Sequence, residues 1–175
     1  MRARVFAALL ALGWVLSLPS PVSLPGGAGL DGKAQAETVI LTGPVVRFVD
    51  GDTVWVRLTD RVEKVRYIGI DTPEVHHPTR GEQPGGREAT DVNRRLIGGK
   101  PVRLEPDVQL RDRYGRLLAY VWVKGPDGDE IMINAELVRL GYAQVMTVPP
   151  NVRHAELFRK LAREAREQHR GLWAD

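Results

Sequence analysis

From residue 39 onward the apolar positions recur with a period of two, the signature of half-buried strands. Val39 to Val49 is β-branched and apolar and runs into Asp50-Gly51, a tight-turn dipeptide. Thr53 to Leu58 sets Val54, Val56 and Leu58 opposite Trp55 and Arg57. Val62 to Ile70 alternates again, which places Arg66 on one face with Ile68 and Ile70. Three such strands joined by short turns predict an antiparallel meander. Pro73 to Gly86 holds three Pro and three Gly and reads as a long surface loop. Arg87 to Ile97 switches to helical spacing, with Ala89, Val92 and Leu96 on one side and Gly98-Gly99 as its stop. Pro101 to Leu110 and Leu117 to Val123 predict two further strands around a charged turn, Arg111 to Arg116. Ile133 to Leu140 predicts a short helix ended by Gly141. Asn151 to His169 predicts a longer one, striped by Leu157, Phe158, Leu161 and Ala165. Five strands with three helices, one after the third strand and two at the end, suit an α+β chain built on a five-stranded Greek-key barrel, an OB-like fold.

The first 36 residues follow another pattern. Arg2 and Arg4 precede an apolar run, Val5 to Leu18, that is too short for a comfortable membrane span. A Pro/Gly/Ser stretch and the small-x-small triplet Ala34-Gln35-Ala36 come next. The expectation is a signal peptide over 1–36, cleaved near Ala36, and one folded domain over 37–175 in a secreted or periplasmic protein. An uncleaved anchor is the rival. Cleavage would leave the protein without stable membrane association. The leader also takes three basic side chains and one acidic one from totals of 25 and 22, so the remainder is nearly neutral. The pI of about 9.4 therefore says little about a nucleic-acid partner. The run of Arg and Lys between Arg153 and Arg170 reads as a solvated helix face with i,i+4 pairs. With no cysteine, thiolate metal sites, disulfides and cysteine nucleophiles are excluded. Ser17, Ser20 and Ser23 are the only serines, so a cleaved protein has no serine nucleophile either.

Three short segments carry candidate chemistry: Asp50-Gly51-Asp52-Thr53, Arg66 through Asp71-Thr72-Pro73-Glu74, and Asp112-Arg113-Tyr114-Gly115-Arg116. Singly they read as a turn, a strand end before a Pro-bounded loop, and a charged hairpin tip. Together they put several carboxylates and guanidinium groups at strand ends, where a barrel mouth can gather them. Carboxylates with backbone carbonyls are the hard-oxygen set that holds Ca²⁺ or Mg²⁺. Arginines beside such a metal grip phosphate bidentately. Pro73 drives Thr72 into an extended conformation and so fixes the spacing from Asp71 to Glu74. His76-His77 reads as a pair of loop histidines, because adjacent side chains point apart on an extended chain. Trp55, Trp122 and Trp173 read as barrel packing rather than a base-stacking platform.

The order V-D-G-D-T-V, R-Y-I-G-I-D-T-P-E, D-R-Y-G-R-L-L-A-Y and N-A-E-L-V-R-L-G-Y-A closely resembles the staphylococcal nuclease (thermonuclease) family, across essentially all of Val39 to Trp173. The resemblance implies an OB-fold barrel with three helices. It also implies a secreted, Ca²⁺-dependent nuclease that cuts DNA and RNA to 3′-phosphate and 5′-hydroxyl ends. A monomer is expected. Carried over by position, Asp52, Asp71 and the carbonyl of Thr72 match the metal ligands. Glu74 matches the residue usually cast as general base, and Arg66 and Arg116 match the arginines on the scissile phosphate. Arg113 and Tyr114 match the substrate-binding pair, Arg113 standing where the family prototype has lysine. The chain departs from the prototype at Met146-Thr147-Val148-Pro149-Pro150, which lacks the tyrosines that bracket the nucleotide. The competing readings are a non-catalytic OB-fold nucleic-acid-binding module and a metal-dependent phosphatase acting on another substrate.

Overall fold

The structure, a computed structural model, describes residues 41–75 and 81–174. The leader, Val39, Ile40 and the His76-His77 pair lie outside the described residues. Strand β1 (Leu41–Phe48) pairs with β2 (Thr53–Arg57) on one side and with β5 (Pro101–Glu105) on the other. β2 pairs with β3 (Val62–Tyr67), β5 with β6 (Leu117–Lys124), and β6 also with the short β7 (Glu130–Met132). All of these pairings are antiparallel. The sheet then closes on itself through a parallel pairing of β3 with β6, in the register Val65↔Leu117, Arg66↔Leu118 and Tyr67↔Ala119. The closed five-stranded barrel and its three helices are the OB architecture expected from the sequence.

Alternation along the strands fills the barrel. Val54, Val56, Val65, Tyr67, Val102, Leu104, Ala119 and Val121 are buried, and form one core with residues of the helices. Helices α1 (Gly86–Ile97), α2 (Ile133–Arg139) and α3 (Ala155–Glu167) contribute Val92 and Ile97, Leu137 and Val138, and Phe158 and Ala162 to it. Asn134 is buried at the junction. Its Oδ1 accepts from the Val121 amide at 2.9 Å and its Nδ2 donates to the Ile68 carbonyl at 2.9 Å. One side chain thus satisfies a strand amide and a loop carbonyl that would otherwise be orphaned in the interior.

The departures from the sequence reading are local. Val62 to Ile70 is not one strand: β3 ends at Tyr67, and a separate β4 (Ile70–Asp71) pairs with β8 (Gln144–Val145). The cause is a kink at Ile68-Gly69, with Gly69 in the left-handed region at φ 81°. Ile68 and Ile70 are therefore buried with Val65 and Tyr67, while Arg66 points the other way. The expected sharing of a face by Arg66, Ile68 and Ile70 is lost there. β5 stops at Glu105, and β7 carries no long alternation to reveal it. α3 begins at Ala155 instead of Asn151, because the Asn151 side chain is engaged with Gln109. Trp55, Trp122 and Trp173 are half-buried, the last two under Arg103 and Arg166.

The Gly69 kink aims β4, and hence Asp71, at the site. A Cβ at this position would sit 2.5 Å from the buried Phe158 ring, in a backbone conformation that L side chains avoid. Gly69→Ala should lower stability by more than about 1 kcal/mol, as left-handed backbone strain and a core clash add. Chemical denaturation of the two proteins measures the difference.

Candidate active site

The turn between β1 and β2 brings Asp52 into the barrel mouth. Gly51 is needed there for space: its conformation is ordinary, but an added Cβ would lie 2.8 Å from both the Thr72 hydroxyl and the Ala89 methyl. Asp52 is only 3% exposed. Its carboxylate accepts from the Thr72 amide at 2.8 Å and the Thr53 hydroxyl at 3.0 Å, and it is ion-paired with Arg66. The second terminal nitrogen of Arg66 reaches Asp71 at 2.7 Å, so one guanidinium bridges two carboxylates. Burial pushes the Asp52 carboxyl up to about 6, with Arg66 pulling against it and Asp50 adding to it. Burial also raises Asp71, again opposed by Arg66. The negative charge is thus incompletely compensated, and the buried Thr72 hydroxyl has no hydrogen-bond partner. These are the features of an oxygen-rich pocket that gains from a hard cation. Among the described residues no group of three or more His, Cys, Asp or Glu forms a complete cage. Carbonyl, water or substrate oxygens would have to complete such a shell.

Glu74 follows Pro73 two residues beyond Thr72 and is exposed. Its backbone is held on both sides by Gln83: the Glu74 amide donates to Gln83 Oε1, and the Gln83 amide donates to the Glu74 carbonyl, each at 2.9 Å. The carboxylate itself engages no partner among the described residues. The sequence offered no signal for Gln83, which is one polar residue in a Pro/Gly loop.

The third segment is the hairpin between β5 and β6. Asp112 organises it as an Asx turn, accepting from the Tyr114 amide at 2.9 Å and the Arg116 amide at 3.0 Å, and receiving Arg116 Nε at 2.6 Å. Tyr114 stands exposed, with the Arg113 and Arg116 guanidinium groups 4.8 and 5.4 Å from its ring centre. Arg66, Arg113, Tyr114 and Arg116 line a cleft of about 500 Å³ whose far wall includes Met146 and Val148. The site residues read from the sequence therefore fall into one mouth with two parts. Asp52, Arg66, Asp71 and Thr72 are directly linked, Arg66 also borders the cleft of the arginine hairpin, and Glu74 stands apart in contact. Thr147 does not line the cleft; its neighbours do.

Asp112 also makes the hairpin sensitive to acid. Burial alone would raise its carboxyl, but the hydrogen bonds from Arg116 and Tyr114 hold it below the usual 3.8. A lowered folded value means that its stabilisation is fully present above 3.8 and is lost as pH falls through the folded value. An NMR titration of the Tyr114 and Arg116 amides should show a midpoint below 3.8. A midpoint above that value would contradict the arrangement.

Comparison with known proteins fits this geometry. Residues 64–175 match a family described as "Staphylococcal nuclease homologue", a span that includes every proposed site residue except Asp52. The chain is 38% identical to a thermonuclease of Staphylococcus hyicus over 77% of this chain and 76% of the relative. It is 38% identical to a thermonuclease of Staphylococcus intermedius over 74% of each. It is also 36% identical to the endonuclease YncB of Bacillus subtilis over 81% of this chain and 65% of the relative. By sequence and by fold, the chain belongs to the staphylococcal nuclease family.

Proposed function

We propose that the protein is a secreted, Ca²⁺-dependent nuclease that hydrolyses DNA and RNA to 3′-phosphate and 5′-hydroxyl products. Its relatives named thermonuclease and endonuclease support the nuclease activity. The observation that carries the reading is Arg66, which joins Asp52 and Asp71 on one side and borders the cleft of Arg113, Tyr114 and Arg116 on the other. Carboxylates for a cation and guanidinium groups for a phosphate thus share one mouth. Asp52, Asp71 and the Thr72 carbonyl would hold Ca²⁺, which when bound supplies positive charge to the phosphate and acidity to nearby water.

The other steps belong to the chain's own groups. Glu74, exposed two residues beyond Thr72, orients the attacking water and accepts its proton. A carboxylate is a weak base at neutral pH, so positioning matters more than proton affinity. Arg66 and Arg116 grip the phosphate oxygens and stabilise the charge that builds as the bond from water to phosphorus forms and the bond to the 5′-oxygen breaks. Both arginines are already held by carboxylates, so little reorganisation is needed to aim them. Arg113 and Tyr114 hold the neighbouring nucleotide against the cleft, facing Met146 and Val148 in place of tyrosines. The protein is proposed to act as a monomer.

Steady-state release of acid-soluble nucleotide from single-stranded DNA, across a Ca²⁺ titration, tests the assignment. Asp52→Asn and Asp71→Asn should chiefly raise the Ca²⁺ requirement. Glu74→Gln should lower kcat by roughly 10²–10⁴ with little change in substrate binding, the usual size of a general-base contribution. Arg116→Lys should lower kcat by about 10²–10³, the loss expected for one transition-state donor. Activity that survives complete chelation, or Glu74→Gln at wild-type turnover, would sink the mechanism. A non-catalytic binding module would release no nucleotide under any of these conditions.

Secretion rests on the leader's charged start, apolar run and Ala34-Gln35-Ala36. Mass spectrometry of the exported protein should place the new N-terminus at Glu37 or a close neighbour. An intact Met1 there would overturn the proposed cleavage.

A further inference from the structure

Glu63 lies on β3, three residues before Arg66, and is nearly buried at the barrel surface. Its carboxylate takes a bidentate grip from Arg111, Nη1 at 3.0 Å and Nη2 at 2.7 Å, and a further bond from Arg61 Nε at 2.7 Å. Arg111 has a second task. Its Nη1 also donates to the Gly115 carbonyl at 2.8 Å. That carbonyl belongs to the peptide unit that joins Gly115 to Arg116. The amide of the same unit is the one that Asp112 accepts at 3.0 Å. Both ends of the peptide immediately before Arg116 are therefore pinned.

The two pins differ in what they hold. Asp112 is part of the hairpin, so it fixes the turn's internal shape and not its place on the barrel. The tip otherwise stands in solvent, with Tyr114 68% exposed. Arg111, through Glu63, ties the turn to the strand that carries Arg66. We propose that Arg111, anchored on Glu63, is a positioning residue that sets Arg116 at its working distance from Arg66 across the phosphate. The proposal rests on the nuclease reading. A lysine could not do the same work, because a single ammonium lacks the planar fork that serves two carboxylate oxygens and a carbonyl together.

A bond that served only stability would behave differently, and a double-mutant cycle separates the two. Turnover of single-stranded DNA with saturating Ca²⁺ and the thermal midpoint are measured for Arg111→Met, Arg116→Ala and the double variant. Arg111→Met should lower kcat by about 10- to 100-fold with a smaller change in KM, as a displaced catalytic group does. In the Arg116→Ala background the same substitution should cost less than about twofold, because nothing remains to be misplaced. The fall in Tm should be equal in the two backgrounds. Calorimetric titration with a nucleoside bisphosphate in Ca²⁺ should show the same pattern in affinity, independently of turnover. Glu63→Gln, which keeps the shape and removes the charge, should be a weaker copy of Arg111→Met and replaces it in the cycle should that variant fail to fold. Equal fold-losses in both backgrounds, or no loss in either, would overturn the positioning role and leave the catalytic assignment of Arg116 intact. Wild-type turnover by Arg116→Ala would overturn both.

Discussion

The structure depends on the closure of the barrel. A sheet whose edges meet as β3 and β6 has no free edge inside its core, and the meeting is parallel, with Arg66 beside Leu118. This register does more than satisfy backbone groups. It places the last residues of β3 next to the first residues of β6, and so puts Arg66 near the hairpin that ends in Arg116. Two arginines that lie far apart in the chain come to border one cleft because the barrel closes in this register. Asn134 reinforces the same corner, holding β6 through the Val121 amide and the end of β3 through the Ile68 carbonyl.

The barrel and its helices were legible in the sequence because strands such as Thr53–Arg57 alternate strictly and helices such as Gly86–Ile97 carry their own stop. What escaped was set by tertiary contacts. The break after Tyr67 turns on one glycine packed against Phe158, 89 positions further along the chain and out of reach of any local pattern. β7 is too short to show a period. The charged residues proposed for the site stand out as motifs, since Asp52, Arg66, Asp71, Glu74 and Arg116 sit in short stretches rich in turn residues and carboxylates. Their supports do not. Gln83, Glu63 and Arg111 are ordinary polar residues whose roles come from pairing across the fold. Residues 146–150 show the reverse case: the sequence marked the segment as unusual, and the structure shows that Met146 and Val148, not Thr147, face the cleft.

The mouth is arranged as a set of opposed charges in which no group is free to relax far. Asp52 is buried and hard to ionise, and Arg66 holds it while also reaching Asp71. Removing either partner would leave a buried or half-buried charge alone, which is much costlier than the pair itself is stabilising. The arrangement is strained in the electrostatic sense, and in the proposed enzyme a cation and a phosphate would relieve it from opposite sides. Structural economy and readiness for ligands are the same property here.

That arrangement also changes what ligand binding exchanges with solvent. Proteins that take up phosphates with bare lysines and arginines release a cloud of salt ions, and their affinity falls steeply as salt rises. Here Arg66 and Arg116 carry covalently tethered counterions, Asp52 with Asp71 and Asp112 respectively. Arg113 is paired to no carboxylate among the described residues, its partner being the Tyr114 hydroxyl. In the proposed enzyme, a phosphate arriving between the arginines would share them with side-chain carboxylates that stay at the site, so few ions would pass to bulk. On the proposed function, the chain would carry its own ionic atmosphere, and its grip on a polyanion would be comparatively indifferent to the salinity of whatever medium surrounds it.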